Sequence, residues 1–376
     1  MSRAPGEMRT IHPKAAPWAF IAACVALLWP SSVSANRIPK ADAAERQDSV
    51  PITSSDNLFE FHSGFWINLH HFLFEQAAIA TAGPKGTPHE AELSTDSSMA
   101  AGLSKDESKT WSDALLYYRE KMLHHDLASD KDMVKIKNTL EDMEGATSVD
   151  RSDLDPKLVA ALDAAAPVYR AHWWFLHDKT NQAWIAALMP LVDNQGGGLA
   201  QQIATAFDTP WPNHPLRVDV VAYANYAGSY TTLDPARITI SSIDGGNQGT
   251  AALEVLFHAA SGVMIKAVSA SVEQAYARAG TDSPPEVTQM ILWFTSGFLV
   301  QQLYPNYTPY ADRFPLWTEN SQTGYHAALV KYWQPRLEGK MPLDTALIQL
   351  AANFWVTSAP EKKTATPAPS PAPPTK

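Results

Sequence analysis

The sequence predicts an α+β fold that is predominantly helical, and three observations carry that prediction. Apolar residues recur at steps of three and four along most of the chain, the spacing of amphipathic helices. Convincing alternation, rich in Val, Ile, Tyr and Thr, is confined to residues 217–230 and 237–243. The expected strands therefore form a small sheet at about 216–243. A long apolar helix over residues 250–279 is expected directly after it, across the turn Asp244-Gly245-Gly246.

The elements follow in order. Arg3, Arg9 and Lys14 precede an apolar run from Ala15 to Trp29, and Val33-Ser34-Ala35 places small residues before Asn36. That is the layout of a secretory signal cleaved after Ala35. An uncleaved anchor is the alternative. Cys24, the only cysteine, opens a further one, a lipoprotein box at Ile21-Ala22-Ala23-Cys24, although the apolar run continues past it. A linker is expected at 36–55 and a single mainly helical domain at 56–358. Within it, Phe65, Trp66, Leu69, Leu73 and Ala77 define a helix over 59–80. Residues 81–108 are a Gly-, Pro-, Ser- and Thr-rich loop, and helices are expected at 111–127 and 132–143, the second charged and exposed. Helices at 157–165 and 168–189 come next, the latter ending at Pro190. The triplet Gly196-Gly197-Gly198 is expected to act as a hinge before a short helix at 199–207. Ser283-Pro284-Pro285-Glu286 has the form of a capping box opening a helix to Tyr304. Helices near 321–333 and 343–356 close the domain. From Pro360 onward six prolines fall in 17 residues, an extended solvated tail over 359–376.

Composition excludes several classes. Hydrophobic residues make up 45% and charged residues 18% of 376, too apolar for a disordered chain. The formal charge is −10, and residues 1–35 carry net +2, so the remainder carries −12. So acidic a chain is a poor partner for nucleic acid or anionic lipid. No transmembrane span is expected once the signal is removed. The mature chain would then hold no cysteine, hence no disulfide and no thiol chemistry.

Chemistry is expected where the sheet meets the long helix, Leu253-Glu254-Val255-Leu256-Phe257-His258-Ala259-Ala260-Ser261-Gly262. In a helix so placed, His-Glu-x-x-His sets two imidazoles on one face to bind zinc, while the Glu activates water. This segment resembles the active-site helix of zincin-type metallopeptidases, specifically a group of exported bacterial zincin-like proteins. Phe61-His62-Ser63-Gly64-Phe65-Trp66-Ile67-Asn68-Leu69-His70-His71-Phe72, His172-Trp173-Trp174 and Pro309-Tyr310-Ala311-Asp312-Arg313 are similar to that group as well. The resemblance implies a zincin-like fold with His258 as the first metal ligand. Ala259 stands at the general base, Gly262 at the second histidine and Phe298 at the third, glutamate ligand. Alanine, glycine and phenylalanine offer no lone pair, so the zinc is expected to be lost and no catalytic residue to be intact.

Other constellations remain. Glu254 and His258, four apart, could form an acid/base pair. His70, His71 and Glu75 share a helix, with His71 and Glu75 on one face, a geometry that suits a metal site, although an exposed i,i+4 pair is the commoner reading. His172 and His177 are expected as core or interface side chains beside Trp173 and Trp174, and His124-His125 as solvated surface. Ser261 lacks the strand–turn–helix setting of a hydrolase nucleophile. Tyr304, Tyr307, Tyr310, Asp312 and Trp317 lie in an aromatic loop that could line a cleft for a peptide, sugar or protein ligand. The expected function is that of an exported, degenerate zincin-like binding protein. A hydrolase with a relocated or metal-free site is the alternative, and a helical scaffold or adaptor the second.

Overall fold

A computed structural model describes residues 51–82, 100–224, 228–314, 316–317 and 324–358. The expected signal, most of the linker, the greater part of the 81–108 loop and the proline-rich tail lie outside the described residues.

The fold is α+β and mainly helical, built around one mixed sheet of five strands. β1 (Ile52–Thr53), β2 (Phe59–His62), β3 (Leu216–Val221), β4 (Ser229–Thr232) and β5 (Arg237–Ser241) lie in the order β1-β2-β3-β5-β4. The central three are parallel, and β1 and β4 close the edges antiparallel. The helices are α1 (Phe65–Ala82), α2 (Lys105–Lys121), α3 (Lys131–Asp142), α4 (Pro156–His172) and α5 (Trp174–Phe207) before β3. After β5 come α6 (Thr250–Ser261), α7 (Ile265–Ala279), α8 (Val287–Leu303), the short α9 (Tyr310–Arg313), α10 (Tyr325–Ala328), α11 (Gln334–Leu337) and α12 (Leu343–Ser358).

Period-two alternation gives the sheet two different faces. Phe59, Phe61, Val218, Val220, Ile238 and Ile240 are buried in one apolar core with α5 through α8 and the C-terminal helices. The opposite face is charged. Glu60, Arg217 and Arg237 are aligned across three strands, and His62, Asp219 and Thr239 form the next row. α3 lies over these rows. Lys137 pairs with Glu141 at 2.8 Å, Arg237 reaches Glu141 at 3.0 Å, and Arg217 grips Asp219 through Nε and Nη2. His62 Nδ1 lies 2.7 Å from Glu144. A second apolar core, formed by α1 through α4 with Val221 to Ala224 and Tyr230, fills the same side.

Several expectations are corrected. Residues 59–62 are a strand, not the start of a helix, because Phe59 and Phe61 face the core while Glu60 and His62 face the charged layer. β1, β2 and β4 were not expected as separate strands; the single strand over 217–230 is two, β3 and β4. α3 is not simply exposed: Lys137 is 1% and Glu141 0% exposed, since Glu141 pairs with Arg237 of the sheet and with Lys137, which also meets Thr232. α5 runs unbroken through Pro190 and the glycine triplet. Buried Trp184, Ile185, Leu188 and Val192 flank Pro190, and this packing overrides the roughly 3 kcal/mol helix penalty of proline. The glycines are helical rather than a hinge. Conversely the 250–279 helix is interrupted by a 3-10 turn at Gly262–Met264. Its length and composition would suit a membrane span, but Leu253, Val255, Leu256 and Phe257 are fully buried core residues. The Ser283–Glu286 capping box does not form; α8 starts at Val287 with no side-chain cap.

Candidate functional site

The turn between β5 and α6 is pinned from three directions. Asp244 Oδ1 accepts from Gly246 N, Asn247 Nδ2 donates to the carbonyls of Gly228 and Ser241, and Trp184 Nε1 donates to Asn247 O. Gly249, at φ +57°, turns the chain into α6, where a run of Ala and Leu favours helix. α6 then packs on α8 through two matched pairs. Position 258 meets 293, and position 254 meets 297, each pair one helical turn from the other.

At the first pair the His258 ring lies flat on Trp293, with centroids 3.4 Å apart and planes at 11°. The stack continues from Trp293 to Tyr310 at 4.5 Å and from Tyr310 to Phe314 at 4.4 Å. His258 Nδ1 is buried without a hydrogen-bond partner. Burial pushes the imidazole pKa down to about 3, against a smaller opposing contribution from the Leu292 backbone, so the ring is neutral at ordinary pH.

At the second pair the fully buried Glu254 carboxylate faces Gly297. Tyr307 Oη donates to Oε2 at 2.5 Å, and the Tyr310 backbone N–H donates to the same oxygen at 2.9 Å. Burial raises the Glu254 pKa to about 7, while the Tyr307 and Tyr310 hydrogen bonds and the Arg313 guanidinium oppose the rise. Among the described residues no hydrogen bond joins Glu254 to His258, so each is engaged with the 304–314 segment or α8 rather than with the other.

The positions that the zincin resemblance aligns meet different neighbours. Ala259 is buried, and its carbonyl accepts from Thr231 Oγ1 at 2.6 Å. A Cβ on Gly262 would lie 3.2 Å from Thr231 Cβ, so this position faces β4. Phe298 lies beside Phe294, the rings at 11°, in the wall of a surface cleft. Ser261 Oγ bonds back to Phe257 O. No group of three His, Cys, Asp or Glu able to hold a metal occurs among the described residues.

The remaining histidines are mostly structural. His70 and His71 are fully buried, not members of an exposed ion pair; His70 Nδ1 meets Tyr118 Oη at 2.8 Å and His71 Nε2 meets Tyr230 Oη at 3.0 Å. Burial lowers the His70 pKa to about 4 and raises that of Glu75 to about 7. His177 Nδ1 pairs with Tyr169 Oη, and His172 with Glu107. His124 and His125 are exposed.

The cleft, about 240 Å³, opens between α8 and the residues that follow it. Of the five expected cleft residues, Asp312 and Trp317 line it. Tyr304 and Tyr307 pack against the apolar core, and Tyr310 belongs to it. Gln301, His326 and Gln334 also line the cleft, as does Trp293 from the floor of the aromatic stack. None of these was legible as a site residue, since they come from three separate helices. Compared with protein-family models, with curated proteins and with solved structures, the chain matches none.

Proposed function

We propose that this chain is an exported, zincin-like protein that binds a ligand without peptide-bond chemistry. The observation that carries the reading is the His258–Trp293 stack. The one histidine on α6 lies flat against an indole, and a side chain at position 262 would meet Thr231 of β4. A catalytic zinc needs three protein ligands and an open water position. Here the equivalents are a covered imidazole, alanine, glycine and a phenyl ring. The small sheet preceding α6 and the packing of α8 on α6 are consistent with a zincin-like frame, and the nearby cleft is the feature left for binding.

Elemental analysis of the purified mature chain after incubation with zinc tests the proposal. The expected result is less than stoichiometric metal, unaltered by His258→Ala. Stoichiometric zinc that vanishes in His258→Ala would overturn it. A peptide and ester substrate screen should show no turnover, which also separates the proposal from a relocated hydrolase.

A further inference from the structure

We infer that the cleft beside α8 takes one neutral sugar ring, an inference that rests on the binding-protein reading above. Its walls combine two chemistries. Phe298 and Trp317 are half-buried and line it. Trp317 is held in place because its Nε1 donates to Asp312 Oδ1 at 2.7 Å, while the His326 ring lies 5.4 Å away at 31°. Aromatic faces carry negative charge and attract the weakly positive C–H face of a pyranose. Around them stand polar groups suited to hydroxyls. Gln301 Nε2 is bound to Tyr307 O, which fixes the plane of that amide, and Gln334 Nε2 is bound to Glu338. Asp312 supplies a carboxylate. Amides and carboxylates in fixed planes match the paired hydroxyls of a sugar.

The alternatives fit less well. Among the described residues that line the cleft there is no lysine or arginine, so no permanent positive charge balances a phosphate or a carboxylate ligand. Apart from Pro309 and Trp317, the lining residues belong to α8, α9, α10, α11 and the π-helical turn Leu329–Trp333. Helical backbone is bonded internally and offers no strand edge for a peptide main chain. The volume of about 240 Å³ falls below the roughly 300–1,000 Å³ of sites that enclose drug-sized ligands. One ring fits, with the rest of an oligosaccharide outside.

Titration of the full mature chain with maltotriose, cellotriose and triacetylchitotriose tests the inference, read by calorimetry and tryptophan fluorescence. At least one should bind with a Kd in the micromolar to millimolar range, on the order of −4 to −8 kcal/mol. Trp317→Ala should weaken it ten-fold or more, Trp317→Phe should restore most of the affinity, and Gln334→Ala should weaken it several-fold with circular dichroism unchanged. No binding of any of the three at about 10 mM, or binding that Trp317→Ala leaves intact, overturns the inference. An uncharged alanine tripeptide that binds where the sugars do not, with Trp317→Ala sensitivity, would overturn the sugar class and leave the binding-protein reading standing. Stoichiometric zinc would remove that reading independently of any sugar result.

Discussion

Tyr307 Oη donates to Glu254 Oε2 at 2.5 Å, tying the segment after α8 to the middle of α6. The bond sits beside Gly297, where a Cβ would stand 2.9 Å from Pro309 Cβ and 3.0 Å from Glu254 Oε1. Segment, carboxylate and helix therefore fit only because residue 297 has no side chain. Pro309 and Asp312 of the same segment wall the cleft, so Glu254 is a positioning residue for the proposed binding site.

The Glu254 pKa, raised by burial to about 7, gives a pH prediction. A carboxyl whose folded pKa exceeds its unfolded value of 4.5 binds its proton more tightly when folded. Its contribution to stability is therefore lost as pH rises from about 4.5 to about 7. In Glu254→Gln, where an amide oxygen can still accept from Tyr307, that contribution is absent. Urea unfolding of both proteins at pH 5 and pH 7.5 should show the mutant gaining on the wild type by about 2 kcal/mol at the higher pH. A difference independent of pH would show that Glu254 does not titrate in this range.

The stack on His258 predicts the opposite titration. Burial holds its imidazole neutral down to about pH 3, so the unfolded chain takes up a proton below the ordinary value of 6.5 and the folded one does not. Stability from this group is lost as pH falls below about 6.5. Trp293→Ala strips the cover: the His258 pKa, followed by NMR, should rise toward 6.5, and the protein should lose about 3–5 kcal/mol, as large-to-small aromatic changes do. An unshifted His258 titration would mean that the indole is not what excludes water.

The charged layer between the sheet and α3 predicts coupling. Lys137 and Glu141 are both buried, with the Lys137 ammonium also 3.1 Å from Thr232 Oγ1. Burial and Asp219 drive the Glu141 pKa upward, while Lys137 and Arg237 hold it back. Removing one partner strands a buried charge and costs about 3–5 kcal/mol. Lys137→Met should do this, while Lys137→Met with Glu141→Gln should cost clearly less than the two single changes added together. Strict additivity in chemical denaturation would show that the two groups act independently.

Legibility of the sequence divides along one line. The amphipathic helices and the strands β3 and β5 were readable because their patterns are local. β2 was not, since its four residues could be absorbed into the helical pattern that begins at Phe65. The burial of Lys137 and Glu141 was hidden for a different reason: helix charge normally marks a solvated face, and only the alignment of Arg217 and Arg237 on neighbouring strands makes it an interior. At the site, His258 and Glu254 stood out by spacing. Their partners Trp293, Gly297, Tyr307 and Tyr310 lie up to 56 residues away, and pairing across such distances leaves no periodic trace. One regularity was available: Trp293 and Gly297 are themselves four apart, the spacing of a helix face that can meet another such face.

The glycine triplet of α5 separates two roles that look identical in sequence. A Cβ on Gly196 would lie 2.7 Å from Asp56 Oδ2 and 3.1 Å from Leu58 Cδ1, whereas one on Gly197 would meet nothing within 4 Å. Asp56 cannot easily retreat, because its other oxygen accepts from Ser54 Oγ and from Leu58 N, bonds that shape the turn between β1 and β2. Alanine gains up to about 1 kcal/mol over glycine inside a helix, and overpacking costs about 1–3 kcal/mol. Gly197→Ala should therefore stabilise the protein by about 0.5–1 kcal/mol. In Gly196→Ala the overpacking outweighs the helical gain, and a net loss of about 1–2 kcal/mol is expected. Thermal unfolding of the two variants should move in opposite directions from the wild type. A rise in both would mean that the β1–β2 turn does not press on α5 in solution.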